Sequence, residues 1–149
     1  MQKIEYMKSD IRNYVVQLIK EKIEKLSKYI EFTTEASREI KKTPKYDIIR
    51  EGAQEEIYQM QKQLAELNKL LNGMTKVVNT RFDTVQLGSL VVTNKARFYI
   101  SVSLGEFFFE GDRFYAISEE SPMAQIMLGK NEGDDFILNN IHQKIEEIL

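Results

Sequence analysis

The sequence predicts an α+β protein in which an N-terminal antiparallel coiled-coil hairpin, residues 1–76, leads through a short linker, 77–84, to a small β-rich domain, 85–149. Three observations carry this prediction. Two long apolar seams advance in steps of three and four residues, a proline-bearing basic turn separates them, and after Gly73 the pattern changes to short β-branched and aromatic segments punctuated by glycine.

The first seam runs through Val16, Ile19, Ile23, Leu26, Ile30, Thr33, Ser37 and Ile40, which places one helix near residues 10–42. The second runs through Ile49, Ala53, Ile57, Met60, Leu64, Leu67, Leu71 and Met74, a helix near 45–72. Pro44 disfavours helical geometry at Thr43 and suits the first turn of a new helix, so the chain reverses there. A short connection makes the helices antiparallel neighbours, and about 33 residues at ~1.5 Å each would give a rod of roughly 50 Å with the turn at its far end. Gly73 is expected to end the second helix.

Beyond it, Ser89–Thr93, Phe98–Leu104 and Phe114–Ile117 have the composition of strands, and within Phe107, Phe108 and Phe109 alternate side chains should face core and solvent. Ser121 and Pro122 suit the N-cap and first position of a short helix that Gly129 closes. Ile141, Ile145 and Ile148 suit a helix, but Phe136–Leu138 and Lys144–Leu149 around Asn139 and Asn140 suit a hairpin, which is the reading adopted, with His142 in an exposed turn.

Composition removes most enzyme classes. The 149 residues contain no cysteine and one histidine, His142, so thiolate chemistry, His-based metal clusters and a Ser-His-Asp arrangement lack their parts. No apolar run approaches the ~20 residues that span a bilayer, and the first ten residues lack the apolar core of a signal peptide, so a cytoplasmic protein without a membrane partner is expected. The net charge of −2 hides an asymmetry: residues 1–84 hold 16 Lys or Arg against 13 Asp or Glu, while 85–149 hold 5 against 10. Such a division is not that of a general nucleic-acid-binding surface.

The stretch Ile117-Ser118-Glu119-Glu120-Ser121-Pro122-Met123-Ala124-Gln125-Ile126-Met127-Leu128-Gly129-Lys130, followed by Gly133-Asp134, resembles the C-terminal signature of Gre-type transcription elongation factors, approximately I-S-x-x-S-P-[IM]-A-R-x-L-x-G-K-x-x-G-D. The resemblance is strong over 85–149 and architectural over 10–74. It implies an FK506-binding-protein-like C-terminal domain that docks on bacterial RNA polymerase, here through Ser121, Pro122, Met123, Ala124 and Gln125, while the hairpin enters the secondary channel. Gln125 stands where the family has arginine.

Gre factors carry an acidic pair in a tip motif like D-L-x-E-N-A-E-Y that helps hold a second magnesium ion for hydrolysis of backtracked RNA, work suited to hard oxygen ligands. With the motif tyrosine matched to Tyr46, the first acid falls on Glu39, but the second falls on Lys42 and the asparagine on Thr43. The expected tip is therefore basic, formed by Arg38, Glu39, Lys41, Lys42, Thr43 and Lys45 with Arg50 nearby. It is suited to RNA or nucleotide phosphates and holds no metal or cofactor of its own, any magnesium being shared with the polymerase.

A monomeric, non-enzymatic regulator of RNA polymerase follows as the leading expectation. The alternatives are a cleavage-stimulating factor using Glu39 with Asp47 or Glu35, a prolyl isomerase-like module, and a self-associating coiled-coil scaffold. As bland readings, the charged turn could be solvating charge and Asp47 a first-turn acid favoured by the helix dipole.

Overall fold

The computed structural model describes residues 2–149, with side chains from Met7 onward. Helix α1 spans Gln2–Arg38, a single 3-10 turn spans Pro44–Tyr46, and helix α2 spans Asp47–Met74. Six strands follow, β1 (Leu90–Thr93), β2 (Arg97–Ser101), β3 (Gly105–Phe109), β4 (Asp112–Ser118), β5 (Asp135–Leu138) and β6 (Ile141–Ile148), with helix α3 (Pro122–Met127) between β4 and β5. The architecture is α+β. None of the described helices is long and apolar enough to cross a membrane.

The chain divides into two compact units, one of Gln17–Leu71 and one of Met1–Val16 with Asn72–Leu149. These borders differ from the expected 76 and 85, and side-chain chemistry gives the reason. The seam starts at Val16, and the helix before it carries different contacts. Ile11 and Val15 are buried, and Arg12 donates from Nε to the carbonyl of Val77 (3.0 Å) and from Nη2 to that of Met74 (3.1 Å), capping the end of α2 with a cation.

Lys8 is buried as well. Its ammonium donates to the carbonyls of Thr80 (2.5 Å) and Leu149 (3.1 Å) and lies 4.5 Å from the centre of the Phe82 ring, while burial lowers its pKa to about 8. The expected linker is thus tied down: Val77 is buried, Thr80 and Phe82 hold Lys8, and Thr84 forms a β-bridge with Asn131.

In the helical unit the seam residues behave as their spacing demands. Ile23, Leu26, Ile30, Thr33 and Ser37 on α1, Ile40 in the turn just after it, and Ala53, Ile57, Leu64, Leu67 and Leu71 on α2, are partly buried, and Ile19 and Met60 fully so. Ile49 alone departs, at 56% exposed. Tyr29 on α1 donates to Glu56 on α2 (3.4 Å), and Lys22, Leu26 and Tyr29 share a groove with Leu70, Leu67 and Gln63, so the helices run antiparallel. One seam between two helices leaves most of each side chain's rim in water, which explains the partial burial.

The sheet has the order β3-β4-β2-β1-β6-β5, antiparallel throughout except for the parallel pair β2 and β4. One face carries Phe98, Ile100, Val91, Ile145 and Ile148, covered by Ala124 and Met127 of α3. On β4, Phe114 and Ala116 are buried, and Tyr14 of α1 packs its ring 6.2 Å from Phe107 and 5.4 Å from Phe109. Tyr99 is fully buried and its hydroxyl has no hydrogen-bond partner among the described residues. Desolvation pushes its pKa up to about 12 against the lowering pull of Arg12.

On β3 Phe107 is buried and Phe108 half exposed, the alternation expected of strand residues there, whereas the parallel pairing was not foreseen. Gly73 does not end α2, which continues to Met74; a Cβ there would meet Val102 Cγ1 at 2.8 Å, so the glycine permits a close approach instead. The C-terminal hairpin forms as expected, with Asn139 (φ 53°) and Asn140 (φ 65°) supplying the two left-handed residues of its tight turn. His142 lies on β6 opposite Ile137, exposed, with Nε2 at 3.8 Å from Asp135, and is not in the turn.

Candidate functional site

The turn between α1 and α2 is built by backbone rules first. After Arg38 the helix tightens, with the amides of Glu39 and Ile40 donating to the carbonyls of Ala36 and Ser37. Thr43 is extended (φ −121°, ψ 155°), as the following proline requires, and Pro44 opens the 3-10 turn, which leads directly into α2.

Arg50 then fixes the loop from the second helix. Nη1 donates to the carbonyls of Lys41 (2.6 Å) and Thr43 (3.2 Å), and Nη2 pairs with the carboxylate of Asp47. Five donors in a rigid fork make arginine suited to clamping several oxygens at once. Its side chain is 24% exposed, and its bonds are spent inside the turn. Arg50 is thus a structural residue of the loop.

Around this frame the sequence-predicted tip residues separate into three groups. Arg38 pairs with Glu35 at 2.7 Å, an exposed i,i+3 pair worth well under about 1 kcal/mol, so both ends remain exchangeable. Lys45 lies 5.7 Å from the centre of the Tyr46 ring. Glu39, Lys41 and Lys42 are exposed, and their side chains have no hydrogen-bond or ion-pair partner among the described residues. The tip therefore presents Lys41, Lys42 and Lys45 beside a single unpaired carboxylate.

This donor set does not fit a magnesium site. One carboxylate, Glu39, stands among ammonium groups that repel a cation, Asp47 is held by Arg50, and Glu35 sits in an exposed, exchangeable pair with Arg38. Among the described residues no group of three or more His, Asp or Glu side chains could hold a metal ion.

The second predicted surface is the start of α3. Ser121 accepts a hydrogen bond from the Ala124 amide (3.1 Å) and Pro122 occupies the first turn, the arrangement its sequence predicts. Ala124 is fully buried, and Met123 packs against the core with its sulfur 4.0 Å from Gln143 Nε2. Pro122 and Gln125 are exposed, and Gln125 Nε2 donates to the carbonyl of Glu119 at 2.6 Å. Of the five residues expected at a docking surface, Ala124 and Met123 serve the core and Ser121 caps the helix. Pro122 and Gln125 face outward.

The chain is similar to solved structures of the transcription factor Gfh1. One aligns at 17% identity with a TM-score of 0.37, covering 88% of this chain and 89% of its own. Another, the GreA factor homolog 1 (Gfh1) protein of Thermus thermophilus, aligns at 17% identity with a TM-score of 0.35, covering 94% and 93%. No family model matches the sequence, and no curated protein matches it. Residue roles therefore rest on the motif and geometry of the chain itself.

Proposed function

We propose that this chain is a Gre-type regulator that binds bacterial RNA polymerase, presents its helical turn to the secondary channel, and acts there through positive charge without completing a catalytic metal site. The observation that carries this reading is the tip: Lys42 stands where the family's second acid belongs, and the nearby carboxylate of Asp47 is occupied by Arg50. Support for the family itself comes from the matches in register over residues 117–134, with Ser121 performing the capping that the motif's Ser-Pro pair is built for. On this reading the unit with the sheet is the FK506-binding-protein-like docking domain, and Pro122 and Gln125 belong to its contact surface.

An ammonium cluster attracts phosphate and repels divalent cations, so the factor would grip RNA or nucleotide phosphates or compete with the second metal, and its effect would weaken as salt rises. The test is transcript cleavage in stalled, backtracked complexes of bacterial RNA polymerase, with binding to the core enzyme measured in parallel. Binding without appreciable stimulation of cleavage is expected, and Lys42→Glu should move the protein toward stimulation. Failure to bind core polymerase would overturn the reading, as would strong magnesium-dependent cleavage by wild type that Glu39→Ala abolishes.

A further inference from the structure

Residues 85–149 are acidic, with 5 Lys or Arg against 10 Asp or Glu, yet three of those five cations, Lys95, Arg97 and Arg113, line one cavity of about 340 Å³. It lies where β2 and β4 begin, beside the Glu110–Gly111 turn, and Phe108, Tyr115 and Asp112 complete its wall. Phe108 is half exposed, and the Arg113 guanidinium lies 5.5 Å from the centre of its ring. Arg113 has one long, exposed ion-pair partner, Glu106 at 3.5 Å, and a pair of that kind is readily exchanged for a better anion, whereas the Arg97 guanidinium turns to the other face of the sheet, 5.7 Å from the centre of the Phe114 ring and 3.9 Å from Asp112. The Lys95 ammonium has no partner among the described residues, which leaves the cavity a surplus of positive charge.

Cations beside an accessible aromatic ring match a ligand that joins phosphate to a flat ring, because phosphate takes charge-assisted bonds while the ring extends an aromatic or guanidinium stack. The acidic surroundings decide its size. A long polyanion would meet the net −5 of this segment, whereas a ligand with one or two phosphates meets only the local cluster. We infer that this cavity is a binding site for a free nucleotide, with its phosphates on Lys95 and Arg113 and its base against Phe108. The inference does not rest on polymerase binding, and a direct titration of the purified chain tests it.

The probes are ADP, pyrophosphate and an eight-residue single-stranded oligoribonucleotide, each titrated by calorimetry. ADP should bind more tightly than pyrophosphate, and Phe108→Ala should remove that preference with a roughly tenfold loss for ADP. Lys95→Gln, at an exposed residue whose side chain bonds to nothing, should weaken ADP and pyrophosphate alike while leaving the melting temperature unchanged. Equal affinity for ADP and pyrophosphate would overturn the inference. So would affinities unmoved by Lys95→Gln, or tighter binding of the oligoribonucleotide than of ADP.

Discussion

Lys8 offers a direct measurement of how much a buried charge costs this fold. The residue is 1% exposed, and lowering its pKa from the ordinary 10.5 to about 8 corresponds to roughly 3 kcal/mol of unfavourable desolvation while the amine is charged. Below about pH 8 the group is protonated in both folded and unfolded chains, so the cost is fully present. Between about 8 and 10.5 the unfolded chain binds more protons than the folded one, so stability rises with pH and the cost fades. Tyr99 acts in the opposite sense and later: its phenol, held neutral to about pH 12, makes stability fall as pH climbs from about 10. The clean window is therefore pH 7 to 10.

Lys8→Met keeps the apolar stem and removes the titration. Urea unfolding of both proteins across that window should show wild type gaining roughly 2–3 kcal/mol relative to the variant, with the variant faring best at pH 7. Taking the difference cancels titrations the two proteins share. A stability difference that stays constant from pH 7 to 10 would refute the claim that this ammonium is desolvated.

Two further outcomes follow from single contacts. Arg50→Ala should free the carbonyls of Lys41 and Thr43 and release Asp47, speeding amide exchange across residues 39–46 and lowering stability by about 1 kcal/mol, with exchange at the β-strands unchanged. Gly73→Ala should destabilise despite alanine's better helix propensity, because the new methyl meets the stiff Val102 side chain. Adding Val102→Ala should restore at least about 1 kcal/mol of the loss in a double-mutant cycle.

Much of the helical part was legible because a seam is a local pattern. Val16 to Ile40 and Ala53 to Leu71 announce their buried face by spacing alone, and Pro44 sets the turn between them by its ring. The cap at Ser121 and the Asn139-Asn140 turn are local in the same way, since each depends on side chains within a few residues. The tip was half legible: Lys42 in place of an acid is visible in the residues, but the engagement of Asp47 and Glu35 required coordinates.

What the sequence by itself determined is thus the periodic and the short-range: two seams, a proline turn, capped and punctuated segments, and a turn rich in basic residues. Tertiary structure decided the rest, because those features join residues far apart in the chain. The parallel pairing of β2 with β4, the burial of Lys8 against Thr80 and Leu149, the approach of Gly73 to Val102, and the meeting of Lys95, Arg113 and Phe108 at one cavity have no local signal. A lysine in an amphipathic helix reads as solvent-facing from its neighbours, and a strand carries no mark of its non-sequential partner. Only the packed chain, where carbonyls 72 and 141 positions away reach the same ammonium, makes that lysine an interior residue.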